Sequence, residues 1–307
     1  MKILHSIAEL SELPGPLLLA IGVFDGVHLG HRAVIERTLS DARTVGGNAV
    51  VVTFDPHPAR VLRPDQSPLL LTCIQHKQQL IAALGVEYLL IVPFDNKVAA
   101  TEPSEFIREI ATAAKPLRQI CVGENWAFGK GRAGNIHLLK ALGSSMEFEA
   151  IGIPDVQMDD LPVSSTAIRN AVQVGDITTA AKLLGRSFSI LGTVVEGRKM
   201  GRTIGFPTAN LATNNEQLPP NGVYAVTMLL RGKKLPGVAN IGVRPTFEDS
   251  GARVCEVHLF DYTEDFYAEA VEVSFTCFIR EERKYQSLEA LREQIKQDVS
   301  VAKLTTS

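Results

Sequence analysis

The first half of the chain alternates short, almost continuous apolar runs with segments of helical pattern. The runs "LLLAIGVFD", "NAVVVTFDP", "VEYLLIVPFD", "RQICVGENW" and "EFEAIGI" are separated by stretches such as "HRAVIERTLSDART". Strands buried on both faces of a parallel sheet have this texture, because helices cover both faces. Residues 17–153 are therefore predicted to form a doubly wound α/β domain with about five parallel strands.

The second half has a different texture. Two helical segments end at Gly175 and Gly185, and beyond Arg186 strand-like runs such as "GVYAVTMLLRG" and "AVEVSFTCFIR" follow one another through turns without intervening helices. This pattern predicts an antiparallel β barrel or sandwich. An amphipathic helix with Ser287 as its N-cap should close the chain and pack on the barrel.

The chain length and the net charge limit the number of domains and the classes of function to be considered. A chain of 307 residues favours two domains, which we place at residues 1–185 and 186–307. No apolar run approaches the roughly 20 residues that cross a bilayer. The N-terminal segment also carries acidic residues where a signal peptide needs an apolar core. The net charge of −3 gives no general attraction to nucleic acid.

The four cysteines lie far apart in the sequence, with no C-x-x-C pair. They are Cys73, Cys121, Cys255 and Cys277. This spacing predicts reduced and mostly buried thiols rather than disulfides or a metal site. We therefore expect a cytoplasmic protein with neither a membrane nor a nucleic-acid partner.

The stretch "AIGVFDGVHLGHRAVI" places glycines and two histidines where a strand passes into a helix. A glycine-rich turn at this point exposes the N–H groups of the helix, which attract phosphate. The pattern is neither G-x-G-x-x-G nor G-x-x-x-x-G-K-[ST]. His28 and His31 fall on nearly the same side of the first turn, where both rings could reach one polyanion. A metal site, which would need a third ligand, and a merely solvated helix start are the alternatives.

A second polar segment is "VSSTAIR", which starts a helix. Ser164, Ser165 and Thr166 supply hydroxyl groups, and Arg169 supplies a guanidinium one turn later. Hydroxyls, N–H groups and an arginine at a helix N-terminus form a phosphate clamp. An ordinary N-cap followed by a surface arginine would look the same.

In the second half, "GTVVEGRKMGRTIGFPTANL" joins several glycines to Arg198, Lys199 and Arg202. Such a loop offers N–H groups and cations to a polyphosphate, although β turns also use glycines in this way. Thr208 and Asn210 are two residues apart and so share a strand face, where they could meet a magnesium ion and its phosphate oxygens.

Glu256 in "CEVHLFD" is a carboxylate within an otherwise apolar strand. A carboxylate in such a run needs a partner or a function. The alternative is an outward-facing position of an alternating strand.

These segments together resemble known enzyme families. "GVFDGVHLGH" is similar to the H-x-G-H signature of nucleotidylyltransferases, and "VSSTAIR" is similar to their S-S-T-x-x-R motif. "TFDPHP" and "VGENWAFGKGRAGN" resemble further signatures of bacterial FMN adenylyltransferases. "GRTIGFPTANL", "PPNGVYAV", "GVANIGVRPTF" and "EVHLFD" follow the order of the riboflavin kinase family. From end to end, the chain resembles the bacterial bifunctional riboflavin kinase/FMN adenylyltransferase family.

The resemblance implies two reactions. In the barrel, a ribityl hydroxyl would attack the γ-phosphorus of ATP, with Glu256 as general base and Mg²⁺ held by Thr208 and Asn210. In the α/β domain, the phosphate of FMN would attack the α-phosphorus of a second ATP and release pyrophosphate. That nucleophile is already anionic, so His28 and His31 are implied to stabilise charge rather than remove a proton. The implied small-molecule partners are riboflavin, FMN, FAD and ATP.

The resemblance also implies the residues that bind ATP and phosphate. In the adenylyltransferase domain they are Gly22, Phe24, Asp25, Gly26, Gly30, Asn125, Ser164, Ser165, Thr166 and Arg169. In the kinase domain they are Gly197, Gly201, Arg202, Gly205, Pro207, Thr208 and Asn210. Trp126, Ala127, Ala167 and Ala268 depart from the commoner pattern. Because many relatives have glycine at position 268, a strained or shifted turn is predicted there.

Three alternatives remain at this point. The first is a riboflavin kinase whose N-terminal domain is inactive and regulatory. The second is an aminoacyl-tRNA synthetase, because H-x-G-H also occurs in class I enzymes, although the K-M-S-K-S companion is absent. The third is a flavin carrier without catalysis. The sequence also leaves open whether the chain forms a weak homo-oligomer.

Overall fold

The computed structural model describes residues 1–196, 205–213, 217–243, 253–262 and 264–305. The chain divides into two compact units, Met1–Leu69 with Ile74–Ser164 and Leu70–Cys73 with Ser165–Ser307. The predicted domain boundary between residues 185 and 186 lies within the second of these units. Each unit contains a complete sheet and is described by itself.

The first unit contains a parallel sheet of six strands in the order β1-β4-β3-β2-β5-β6. The strands are β1 (Lys2–Leu4), β2 (Leu17–Ile21), β3 (Asn48–Asp55), β4 (Tyr88–Pro93), β5 (Leu117–Gly123) and β6 (Glu149–Ile153). The predicted doubly wound α/β fold is confirmed. The strand that the sequence pattern missed is β1, a three-residue edge strand that is too short to show a periodicity.

Helices cover both faces of this sheet. They are α1 (Leu29–Val45), α2 (Pro58–Leu62), α3 (Ile74–Ala82), α4 (Asn96–Ala100), α5 (Pro103–Ala113) and α6 (Ile136–Met146). Along β2, Leu19 and Ile21 pack in the core cluster of α5 and α6, whereas Ala20 packs in the cluster of α1 and α3. Successive side chains of a strand point to opposite faces, so an entirely apolar β2 supplies both cores.

The strand order creates a ligand position at the centre of the sheet. From β2 the chain proceeds to β3 and β4 on one side, and it later returns to β5 and β6 on the other side. Loops that leave β2 and β5 in opposite directions open a crevice beyond the carboxyl ends of these strands. Residues that follow β2 and β5 therefore border this switch point. A short ladder of β7 (Gln157–Met158) and β8 (Leu161–Pro162) comes after β6.

Two short helices, α7 (Ser165–Gln173) and α8 (Ile177–Leu184), open the second unit. Gly175 has a φ of +81°, and Gly185 caps the C-terminus of α8 with a φ of +68°. Only glycine adopts this left-handed conformation without steric cost. Both predicted helix ends are confirmed.

The rest of the second unit is a closed antiparallel barrel in the order β10-β13-β12-β11-β14-β9. Its strands are β9 (Ser189–Val195), β10 (Ala209–Thr213), β11 (Gly222–Leu230), β12 (Lys233–Val243), β13 (Arg253–Leu259) and β14 (Ala270–Arg280). The terminal helix α9 spans Leu288–Thr305. The Oγ of Ser287 accepts a hydrogen bond from the N–H of Ala290 at 3.1 Å, which confirms the predicted N-cap.

One outer face of the barrel packs against α9. Val299 and Ala302 of α9 join a core cluster with Val223, Ala225 and Val238 of β11 and β12. The prediction that the terminal helix packs on the barrel is confirmed.

The four cysteines are free thiols. Three are buried and Cys277 is half-buried, as predicted. Burial raises the pKa of Cys121 to about 11, so this thiol stays protonated at neutral pH. Among the residues that the structure describes, no helix is both long and apolar enough to cross a bilayer.

Candidate active sites

A strained turn follows β2 at the switch point of the first unit. Phe24, Gly26 and Val27 have φ angles of +51°, +84° and +41°. The N–H of Val27 donates to the carbonyl of Phe24 at 3.2 Å, and both side chains are buried. Positive φ is costly for residues other than glycine, above all for β-branched valine. Such strain is found where the surrounding structure needs one particular backbone path.

His28 is the N-cap of α1. Its Nδ1 accepts a hydrogen bond from the N–H of His31 at 3.3 Å. The rings of His28 and His31 are stacked, with centroids 3.5 Å apart and an interplanar angle of 18°. The edge of Phe24 contacts His31, with centroids 5.3 Å apart. The two histidines that the sequence singled out therefore form one pair at the start of a helix.

Two glycines leave room for these rings. A Cβ on Gly30 would lie 3.2 Å from Cε1 of His28, and a Cβ on Gly22 would lie 2.9 Å from the ring of Phe24. Any larger residue at either position would displace an aromatic ring. Asp25 is buried in the same turn, with 2% of its surface exposed.

Asn125 lies on the other side of the switch point, two residues after the end of β5. Its Nδ2 donates to Oδ2 of Asp155 at 2.7 Å, and Asp155 lies two residues after the end of β6. Next to Asn125, Trp126 stacks on Phe128 with ring centroids 4.3 Å apart. Asp155 was not predicted from the sequence, although a carboxylate that follows the end of a strand was a signal for it.

The S-S-T-x-x-R segment begins α7. Ser164 is half-buried before the helix, Ser165 and Thr166 are its first residues, and Arg169 is half-buried one turn later. On a helix, Arg169 lies on the same side as Ser165 and Thr166. Their contribution to the site of the histidines stays a prediction.

In the second unit, three polar side chains form a row across neighbouring strands. Asn210 of β10 pairs with Glu256 of β13, and Glu256 pairs with Asn240 of β12. Directly paired residues of antiparallel strands point to the same face. Asn240 is two residues from Val238, so the row lies on the face that carries α9. Asn240 was not predicted, although an amide inside the apolar run "GVANIGV" was a signal for it.

A cavity of about 380 Å³ lies between this face and α9. Thr208, Asn240 and Glu256 line one part of it, while Leu291 and Ile295 of α9 line an apolar part. The combination of an apolar wall with a few polar groups is typical of small-molecule sites, and the volume is in their range.

An ion pair between the barrel and α9 closes one side of this cavity. Arg280 donates to Asp298 from Nε at 2.9 Å and from Nη2 at 2.7 Å. Burial acts to lower the pKa of Arg280, but the hydrogen bonds and the charge of Asp298 outweigh it, so the net pKa is raised. The ring of Tyr285 lies under the guanidinium of Arg280, with its centroid 5.7 Å from Cζ of Arg280. Tyr285 also lines the cavity. Its hydroxyl is buried without a hydrogen-bond partner among the described residues.

Thr208 connects this cavity with a second one, also of about 380 Å³. The second cavity is lined by Pro207, Ala209, Tyr262 and Phe266, among others. Thr208 therefore borders both cavities, whereas Glu256 lines only the one beside α9.

Asn210 is 6% exposed, and its Oδ1 is buried without a hydrogen-bond donor in the described part of the chain. A buried carbonyl oxygen without a donor favours a cation, since an unsatisfied acceptor is costly. Oxygen ligands from Asn210 and Thr208 thus fit the predicted magnesium ion.

Burial, and then the charge of Glu256, raise the pKa of the neighbouring thiol Cys255 to about 12, so this thiol stays neutral.

The predicted glycine-rich loop is only partly described. Gly197, Gly201 and Arg202 lie outside the described residues. Gly205 is exposed with a φ of +84°, and the carbonyl of Pro207 lies 2.8 Å from Nδ1 of His258.

Ala268 adopts a left-handed backbone conformation, as predicted from the glycine that many relatives have at this position. Its φ is +61°, and its N–H donates to the carbonyl of Val194 at 2.9 Å. The predicted strained turn is therefore observed.

Comparison with known proteins gives matches for both units. A family model described as FAD synthetase matches residues 11–167, and a model described as riboflavin kinase matches residues 184–306. Bifunctional riboflavin kinase/FMN adenylyltransferases of Escherichia coli K12 and Bacillus subtilis 168 are 38% and 36% identical. The first match covers 99% of this chain and 97% of the relative, and the second covers 97% and 95%. A solved structure described as a macrolide-efflux protein from Streptococcus pneumoniae is 30% identical. It has a TM-score of 0.83, with 96% of each chain covered.

Proposed function

The chain belongs to the bifunctional riboflavin kinase/FMN adenylyltransferase family, and from this premise we propose which of its residues perform each reaction. It phosphorylates riboflavin to FMN with ATP, and it transfers AMP from ATP to FMN to form FAD and pyrophosphate. We assign the first reaction to residues 186–307 and the second to residues 1–185. The two family models, which match separate segments, support this division.

Glu256 is the general base of the kinase reaction. The ribityl hydroxyl of riboflavin is a poor nucleophile until a base accepts its proton. The row of Asn210, Glu256 and Asn240, in which Glu256 and Asn240 line the cavity beside α9, is the observation that carries this assignment. When Glu256 takes the proton, the hydroxyl oxygen bonds to the γ-phosphorus, and the bond from that phosphorus to ADP breaks.

The two cavities take the two substrates. The cavity beside α9 offers an apolar wall for the flavin ring, the Tyr285 hydroxyl as a polar contact, and Glu256 for the ribityl end. The second cavity offers Tyr262 and Phe266, which suit the adenine of ATP. Thr208 lies between them, where the γ-phosphate must reach the hydroxyl.

Mg²⁺ is the metal that suits the kinase site. Thr208 and the buried Oδ1 of Asn210 are the residues that would hold it. When bound, this ion would neutralise charge on the phosphates of ATP. Gly197, Gly201, Arg202, Gly205 and Pro207 belong to the segment that would cover these phosphates.

Adenylyl transfer takes place at the switch point of the parallel sheet. The FMN phosphate is already an anion, so the site needs alignment and positive groups rather than a base. His28 and His31 lie at the N-terminus of α1, where N–H groups and the helix dipole favour negative charge. Gly22, Phe24, Asp25, Gly26 and Gly30 shape the turn, and Asn125 borders the site from β5.

Ser164, Ser165, Thr166 and Arg169 would hold the departing pyrophosphate. Hydroxyl groups and a guanidinium on one side of α7 suit this anion. We further propose that the protein works in the cytoplasm, which free thiols support. We propose that the protein binds neither nucleic acid nor a membrane, and that it forms at most a weak homo-oligomer.

A product time course tests the assignment of two active domains. The purified chain with riboflavin and Mg-ATP should form FMN first and FAD later. With FMN and Mg-ATP it should form FAD and pyrophosphate. If FAD does not exceed the control without enzyme, the N-terminal domain is inactive, and the assignment of adenylyl transfer to it is wrong.

A further inference from the structure

A buried lysine lies beneath the turn that carries His28. Lys77 is on α3, and only 5% of its surface is exposed. Its Nζ donates to the carbonyl oxygen of Val23 at 2.8 Å and lies 3.5 Å from Oγ1 of Thr53. Burial of an ammonium group is costly, so a lysine at this position needs a compensating role. The functions proposed so far give it none.

The same carbonyl receives a second hydrogen bond. Oγ1 of Thr53 donates to the oxygen of Val23 at 2.9 Å, and Thr53 is fully buried on β3. A carbonyl oxygen has two lone pairs, and here donors from two different elements use both. The bond from the ammonium is charge-assisted and is therefore the stronger of the two. Val23 is thus fixed against both α3 and β3.

The turn after Val23 requires this support. Phe24 and Val27 hold positive φ angles, which persist only where the surrounding structure over-determines them. Their side chains pack in one core cluster with Ile81, which is one helical turn after Lys77 on α3. Helix α3 therefore fixes the turn twice, through apolar contacts of Ile81 and through the hydrogen bond of Lys77.

We propose that Lys77, assisted by Thr53, is a positioning residue for adenylyl transfer. It holds residues 22–28 in the path that presents His28 and the N-terminus of α1 to the phosphates of ATP. The lysine does not touch the substrates and acts through the position of His28. This inference rests on the proposed role of His28 at the same site.

The test compares Lys77→Met, His28→Ala and the double variant, with Lys140→Met on the exposed face of α6 as a matched control. Methionine keeps roughly the volume of the lysine stem and removes the ammonium group that donates to Val23. FAD formation from FMN is measured for each variant. FMN formation from riboflavin in the same sample reports the amount of folded chain.

We expect Lys77→Met to lower kcat for FAD formation by about tenfold or more, with the KM for FMN unchanged. FMN formation should match that of Lys140→Met. In the His28→Ala background, Lys77→Met should lower the remaining rate by less than about threefold, because the lysine acts through that histidine. Thr53→Val, which removes the weaker donor, should give a smaller loss in the same direction.

A purely structural role of Lys77 would overturn the inference. In that case FAD formation would keep its kcat, or the losses of Lys77→Met and His28→Ala would multiply in the double variant. The proposed function is judged separately by the single variant His28→Ala. If that variant keeps full FAD formation, the role of the histidine is wrong, whatever Lys77→Met does.

Discussion

The two proposed phosphate sites are built in opposite ways. In the first unit, the site lies at the ends of parallel strands, and its centre is a contiguous turn, residues 22–31, with a helix N-terminus. In the second unit, the site lies on the outer side of a barrel, and its centre is a row of side chains from three strands. Backbone N–H groups dominate the first site, and side chains dominate the second.

The chemistry of the two nucleophiles explains the difference. A phosphate monoester needs only orientation and charge stabilisation, which a helix N-terminus and two histidines supply. An alcohol needs a base as well, and the base must be held beside both substrates. A row across neighbouring strands places Glu256 in the wall of the cavity beside α9, which Thr208 also lines. Substitutions in each unit test whether the two reactions use separate sites.

Replacing the base should have the largest effect. Glu256→Gln keeps the shape of the side chain but accepts no proton, so kcat for FMN formation should fall by about 10³-fold. Adenylylation of supplied FMN should remain near the wild-type rate. Both rates are measured by separating the flavins by chromatography. Loss of both activities would contradict two separate sites.

Breaking the buried ion pair should destabilise the second unit. Asp298→Ala leaves the Arg280 guanidinium buried without its carboxylate, which should cost about 3 kcal/mol of unfolding free energy. The matched control is Glu264→Ala, which removes an exposed partner of Arg231 and should lower the unfolding free energy far less, because solvent screens this pair. Urea unfolding measures both changes. An equal loss of unfolding free energy in the two variants would contradict the prediction that the Arg280–Asp298 pair is stronger than the Arg231–Glu264 pair.

Asn240→Leu tests the end of the polar row that the sequence did not indicate. The amide lines the cavity next to Glu256, and its loss should remove a polar contact worth about 1–2 kcal/mol. kcat/KM for riboflavin should therefore fall by about tenfold. FAD formation from FMN serves as the internal control. An unchanged kcat/KM would restrict the site to Glu256, Asn210 and Thr208.

Relief of the strained turn should have the smallest effect. Ala268→Gly removes the cost of a positive φ but adds chain entropy to the unfolded state, so stability should rise by about 0.5 kcal/mol. The Tm measured by calorimetry checks the direction. A lower Tm would mean that the methyl group of Ala268 packs usefully in the barrel.

The sequence predicted the first site better than the second, and the reason is geometric. Residues 22–31 are contiguous, so their spacing alone indicates a turn and a helix start. Asn240 joins Glu256 only through strand register, and a shift of one residue would turn its side chain to the other face. Asp155 and Lys77 likewise reach partners that are 30 and 54 residues away in the sequence. The alternation of apolar runs, by contrast, is local and predicted both folds.

The most direct test of two separate sites is the product time course of His28→Ala with riboflavin and Mg-ATP. FMN should accumulate at the wild-type rate, while FAD formation should fall by about 10²-fold or more because charge stabilisation is lost. FAD formation at the wild-type rate, or a parallel loss of FMN formation, would contradict this account.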